Sequence, residues 1–205
     1  YLPKYFWNAS IIDFAWTNCA FDVSYSGNSV ETGRFGGMAF RKDPAGRPWI
    51  NTSCQGPGAS VWWPNKDTQA DEPDSQRVAV TVPRGMTHVG NGRLEARRDL
   101  PDGSVTWQWL VRNPINNYAI AINAGHYVHW TETFQGEQGP LGLDFWALDY
   151  HEAAARRQWK EVHSTLACFE KWFGPYPWYE DGYKLIEVPY NGMEHQSAVT
   201  YGNGF

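Results

Sequence analysis

Between residues 21 and 131 no stretch of any length carries a helical period, while short apolar runs punctuated by Gly, Pro, Asn and Asp recur throughout. Such a chain buries its apolar side chains by pairing strands, because strand side chains alternate between two faces. Residues 77–82 are the clearest case, with Val78, Val80 and Val82 alternating with Ala79 and Thr81. Pro101-Asp102-Gly103 supplies a turn between residues 93–99 and 104–111, where Trp107 and Trp109 share a face. Residues 21–40 have the pattern of a hairpin, Trp49-Ile50 of a short strand, and residues 118–124 and 127–131 of further strands. The 12 Trp, 11 Tyr and 10 Phe agree, since large aromatic side chains favour strands and fill the space between sheets.

The pattern changes at residues 136–142, a Gly/Pro/Gln segment expected to be a linker. It divides a β domain at residues 1–137 from an α+β unit at residues 138–205. Residues 141–148 resemble a strand, and Asp149 then precedes Glu152 by three positions, a helix-capping arrangement. Ala155, Trp159, Val162, Leu166, Phe169 and Phe173 recur at steps of four and three, which predicts one amphipathic helix over residues 150–173 with all six in the core. Gly174 and Pro175 end it. Residues 183–202 then return to strand, turn and strand around Asn191-Gly192, with Glu194 at the turn.

Composition excludes several classes. With 205 residues and 42% hydrophobic content the chain can bury a real core, and disorder is not expected. A net charge of -5 without a long basic run gives no footprint for nucleic acid, and the Arg93, Arg97 and Arg98 cluster fits a solvated face. No apolar run approaches the roughly 20 residues that span a bilayer. Cys19, Cys54 and Cys168 are too few and too scattered for a disulfide framework or a zinc knuckle. The compartment stays open, a periplasmic or secreted location being favoured over the cytoplasm. Asn8-Ala9-Ser10 and Asn51-Thr52-Ser53 match the N-glycosylation pattern. The chain is expected to be part of a longer protein.

Several apparent catalytic motifs fail on inspection. His151-Glu152 opens like the zinc motif H-E-x-x-H but has Ala155 where the second His belongs, and His163 lies too far along the helix to share a metal. His126 and His129 are three apart on a predicted strand and point to opposite faces. No G-x-S-x-G turn is present, and Gly90-Asn91-Gly92 lacks the later glycine of a dinucleotide loop because Glu95 stands there.

Six separated segments, in order, resemble the aminopeptidase N family of zinc exopeptidases. They are Thr52-Ser53-Cys54-Gln55, Trp63-Pro64-Asn65-Lys66-Asp67, the strand at 78–83, Asn113-Pro114-Ile115-Asn116-Asn117-Tyr118, the run from Phe169-Glu170 to Trp178, and Gly192-Met193-Glu194. Departures are Ser53 for Gln, Asn65 for Cys, Gly192 directly before Met193 within a shifted glycine pattern, and His195 where the exopeptidase motif usually has Asn. The resemblance implies a β-sandwich or saddle-like N-terminal domain followed by the start of a thermolysin-like catalytic domain. It also implies that Glu194 and Gln55 hold the substrate's free α-ammonium, with Gly192, Met193 and His195 lining the same site. A carboxylate there distinguishes an amine from an internal amide by charge-assisted hydrogen bonds worth about 1.5 to 3 kcal/mol. The family's zinc ligands follow this motif, so these 205 residues are expected to hold no zinc, to be inactive alone, and to need the remainder of the catalytic domain as partner. The alternative is a non-catalytic, β-rich peptide- or carbohydrate-binding module that uses Trp62 and Trp63 as a platform.

Overall fold

The computed structural model describes residues 6–14, 17–27, 35–55, 59–202 and 204–205, with β1 and most of β2 described by backbone alone. The fold is mostly β, in four sheets. Strands β1 (Phe6–Phe14) and β2 (Thr17–Ser26) form an antiparallel ribbon. Strands β3 (Gly37–Lys42), β4 (Pro48–Ser53), β9 (Asn123–Gly125) and β6 (Thr87–Val89) form a second sheet in the order β3-β4-β9-β6. A third has the order β5 (Gln76–Val82), β8 (Val105–Val111), β7 (Arg93–Asp99). Met38, Ile50, Ile122 and Ala124 from the second sheet meet Val80 and Val82 from the third, so alternation at 77–82 marks one wall of a sandwich.

The fourth sheet has the order β10 (Tyr127–Gly136), β11 (Gly139–Leu148), β12 (Tyr183–Glu187), β14 (Val199–Tyr201), β13 (Gly192–Met193). Strands β11, β12 and β14 run parallel, joined across β11 and β12 by helices α1 (Glu152–Gln158) and α2 (Glu161–Phe173). One face packs Trp130, Phe134, Leu141, Leu143, Phe145 and Leu185 against Ala155, Trp159, Val162 and Leu166 of the helical segment. The other sets Trp146, Ile186 and Ala198 against Val89, Trp109 and Ala121 of the β units, with Trp109 and Trp146 edge to face at 6.3 Å.

Several expectations need correction. Residues 136–142 are not a linker. Gly136 pairs with Gly139 and Thr133 with Gly142, so the segment is the tight end of the β10–β11 hairpin. Residues 21–26 pair back with 6–11, not with 35–40, and β3 pairs with β4. Asn117–Ala119 is a 3-10 turn rather than strand, started by Asn116 accepting from the Tyr118 amide at 3.3 Å. The helix breaks between α1 and α2 at Trp159-Lys160. Neither helix has a side-chain cap, and Asp149, the expected cap, binds Arg47 through two contacts of 2.7 Å. The apolar stripe leaves the core at its end, where Phe169 and Phe173 are 55% and 83% exposed. Glu170 is buried in that last turn and accepts from the Tyr179 hydroxyl at 2.9 Å.

Other residues also sit differently from expectation. Asn51 is buried and donates to Asn123 at 3.2 Å, so its glycosylation pattern lies inside the fold. The Asn8 and Cys19 side chains and Gly56-Pro57-Gly58 lie outside the described residues. Arg97 and Arg98 are exposed as expected, while the half-exposed Arg93 also donates to the carbonyls of Glu180 and Tyr179 at 3.1 and 3.3 Å. No helix among the described residues is long and apolar enough to cross a membrane.

Lys184 on β12 is buried on the face toward the β units, with Nζ donating to the Gly92 carbonyl and lying 5.2 Å from the Trp109 ring centroid. Burial outweighs the nearby carboxylates of Asp144 and Asp181 and lowers its pKa from 10.5 to about 7. The unfolded chain holds this proton more tightly, so between pH 7 and 10.5 unfolding takes up a proton and stability rises with pH. Below that window both states are protonated and this slope vanishes. Lys184→Met is expected to flatten the rise, read as urea midpoints of the two proteins at about pH 7 and about pH 9.

Candidate functional site

The exposed Glu194 follows directly on β13, the terminal strand of the mixed sheet. Gly192 has a φ of 106°, and a side chain there would run into the Thr200 carbonyl oxygen of β14. Close approach at Gly192 therefore serves the pairing of β13 with its own sheet. The Thr200 hydroxyl accepts from the Met193 amide at 2.8 Å and lies 3.3 Å from the Met193 carbonyl, fixing the strand end that carries Glu194. Met193 itself is buried.

Beyond Glu194 the chain turns through Ser197, which has a φ of 55°, and Ala198 N donates to the His195 carbonyl at 3.1 Å. This turn is tied to the β units at several points. Asn91 is buried, and its Nδ2 donates to Gln196 O at 2.6 Å and Ala119 O at 2.9 Å while its Oδ1 accepts from Ala121 N at 2.6 Å. Gly92 N donates to the Ser197 hydroxyl at 2.8 Å, and Gln196 Nε2 to Pro114 O at 2.9 Å. These bonds hold the Glu194 turn against the 3-10 turn of Asn117–Ala119. Tyr118 then places its hydroxyl 3.3 Å from Glu194 Oε1. Partial burial and the charge of Glu194 raise the Tyr118 pKa, so the phenol stays protonated and donates.

A second tie runs to β4. The Tyr190 hydroxyl donates to Thr52 O at 2.9 Å and meets the Thr200 hydroxyl at 3.2 Å. Tyr190 loses its proton less readily than usual, first through burial and further through Cys54 and Glu194. The Tyr190 hydroxyl thus joins β14 to β4, whose end leads to Gln55. Gln55 is exposed in the turn after β4. Cys54, just before it, is buried with its thiol pushed up to about 11 by burial, and it accepts from Trp62 Nε1 at 3.1 Å.

Of the five expected site residues, Glu194 and Gln55 are exposed and Gly192 and Met193 form the strand that carries Glu194. His195 differs. It is 0% exposed, neither ring nitrogen has a hydrogen-bond partner, and burial lowers its pKa to about 4. A neutral ring enclosed in this way packs beneath the turn and cannot touch a ligand beside Glu194. Sequence reasoning missed Asn91, Tyr118 and Tyr190. Asn91 lies in the Gly90-Asn91-Gly92 triplet, whose flanking glycines mark a tight turn but not what its amide would meet.

No protein-family model and no curated protein sequence matches the chain. Solved structures do. A variant of a two-domain M1 zinc metallopeptidase bound to L-arginine superposes with a TM-score of 0.73 at 20% identity, covering 88% of this chain and 41% of that one. Aminopeptidase A of Legionella pneumophila, in complex with aspartic acid, gives 0.71 at 16% identity over 90% and 22%. An M1 zinc metallopeptidase from Deinococcus radiodurans gives 0.65 at 20% identity over 75% and 36%. The chain has an M1 aminopeptidase-like fold. It spans less than half the length of each of these three structures. Two of these neighbours are M1 zinc metallopeptidases, whereas the described residues contain no group of three His, Cys, Asp or Glu placed to hold a metal.

Asn91→Ala removes three hydrogen bonds and leaves the buried backbone groups at 119 and 121, and the half-buried one at 196, to find new partners. A loss of about 1–3 kcal/mol in urea unfolding is expected, since that is the usual cost of an unsatisfied buried polar group.

Proposed function

We propose that this chain is the N-terminal part of a zinc-dependent aminopeptidase and supplies the site that recognises the substrate's free amine. The observation that carries this reading is the exposed Glu194 carboxylate at the end of terminal strand β13, beside Tyr118, in a sheet that Tyr190 joins to β4 and so to the Gln55 turn. An extended peptide laid along β13 would bring its α-ammonium to Glu194, with the Gln55 amide as a second acceptor. Tyr118 would hold Glu194 by one oxygen and leave the other free. In this reading Gly192 and Met193 act through strand geometry, and His195 supports the turn from below.

The chain would comprise a β unit and the first part of a catalytic unit. A division near residue 126 keeps the β10–β11 hairpin whole, which a division at 137 does not. No metal-binding set lies among the described residues, and in the whole enzyme the zinc chemistry would belong to other residues. The exposed Phe169, Trp172 and Phe173 at the end of α2 offer an apolar surface to the remainder of that unit. A periplasmic or secreted location is part of the same proposal. The alternative platform of Trp62 and Trp63 is less favoured, because both are half-buried against Ile115, Ala119 and Ile120.

In the full-length protein, Glu194→Ala is expected to lower kcat/KM on peptides with a free N-terminus by about 10- to 150-fold, the equivalent of about 1.5–3 kcal/mol. N-acetylated peptides should be cleaved no worse than by the parent. Equal losses on both would mean that Glu194 serves only the fold.

A further inference from the structure

A groove of about 550 Å³ lies at the other end of the mixed sheet, between β10–β11 and β7–β8. It is separate from the Glu194 site, since β10 and β13 are opposite ends of the strand order. Its volume is that of a small-ligand pocket. Aromatic rings line much of it, and its polar groups converge on one carboxylate, Asp144. His129 lies flat on Trp146, with centroids 3.9 Å apart and planes 12° from parallel, and its Nε2 is 2.8 Å from Asp144 Oδ1. The other oxygen, Oδ2, stands 3.7 Å from Arg93 Nη1.

That last distance is longer than a hydrogen bond, so the Nη1 donor and the Oδ2 acceptor each keep hydrogen-bonding capacity for a ligand lying beside the pair. The Arg93 fork is fixed by the carbonyls of Glu180 and Tyr179, so it does not close the gap by swinging in. Burial pushes the Asp144 pKa up, but His129, Lys184 and Arg93 together outweigh it and keep the carboxyl ionised. A ligand beside them therefore meets a guanidinium that donates and a carboxylate that accepts. Among neutral groups a hydroxyl does both.

We propose that this groove binds a neutral, ring-shaped, hydroxyl-bearing ligand, a saccharide, with its hydroxyls accepting from Arg93 and donating to Asp144 and the apolar ring face against the imidazole that Trp146 backs. A charged ligand fits less well, because Arg93 and Asp144 already offset each other and an added charge would be opposed by one of them. An extended peptide is also disfavoured. Strand β7, which borders the groove, carries an irregularity between Leu94 and Ala96 and three arginines, features that blunt strand addition.

The test is titration of the full-length protein with maltotriose, cellotriose and triacetylchitotriose, followed by indole fluorescence and calorimetry. At least one is expected to bind saturably at one site. Leu94→Arg, at a groove residue 42% exposed, and His129→Ala should each weaken that binding by about tenfold or more. Glu194→Ala should leave it unchanged, so the fate of this site and that of the amine site are read separately. Absence of saturable binding to all three saccharides overturns the proposal. So does binding that survives both groove substitutions, or binding displaced by a tripeptide.

Discussion

The Asn91 side-chain amide, buried where the β units meet the mixed sheet, is the contact on which the candidate site depends. Its three bonds to residues 119, 121 and 196 bind two irregular segments that no strand ladder connects. In a low-dielectric interior an amide satisfied at both ends is directional and hard to replace, and so it sets position and adds stability together. Gly92 extends the junction by donating to Ser197 and accepting from Lys184. Its φ of 72°, with Leu110 backbone packed against it, requires a residue without a side chain. Tyr118 meets Glu194 because these two adjacent residues fix both turns.

The same seam joins two kinds of interaction. Trp109, Trp146, Ile186 and Ala198 provide apolar burial, which is strong and non-directional. Polar contacts then fix the register. The buried Asp181 carboxylate accepts from Arg112 N at 2.8 Å and from Asn113 N and Nδ2 at 3.2 and 2.8 Å, while Arg47 reaches Asp149. The turn that carries Glu194 needs that register, because a slip of one residue would turn Glu194 to the opposite face.

Much of the strand content was legible because alternation has one physical cause, the burial of one face. Val78, Val80 and Val82, and the hairpin around Asp102-Gly103, follow from it. The segment at 136–142 was misread because a linker and a tight hairpin draw on the same Gly and Pro composition, and only the partner strand tells them apart. The helix was legible as a period, but its burial was not. Periodicity says which side chains share a stripe, not how far the sheet beneath extends, and Phe169 and Phe173 pass beyond its edge.

The sequence by itself determined a mostly β chain with one amphipathic helical segment, a turn carrying Glu194, and the order of segments that resemble an exopeptidase. These are local properties, set by side-chain period, turn residues and residue type. Only the tertiary structure decided that His195 is enclosed, that Tyr118 reaches Glu194, that Tyr190 bonds to Thr52, and that Arg93 and Asp144 face each other in a groove. Each of these depends on contacts between residues about 50 to 140 positions apart or on enclosure by several elements at once, and no local pattern in the chain encodes which distant group will occupy that space.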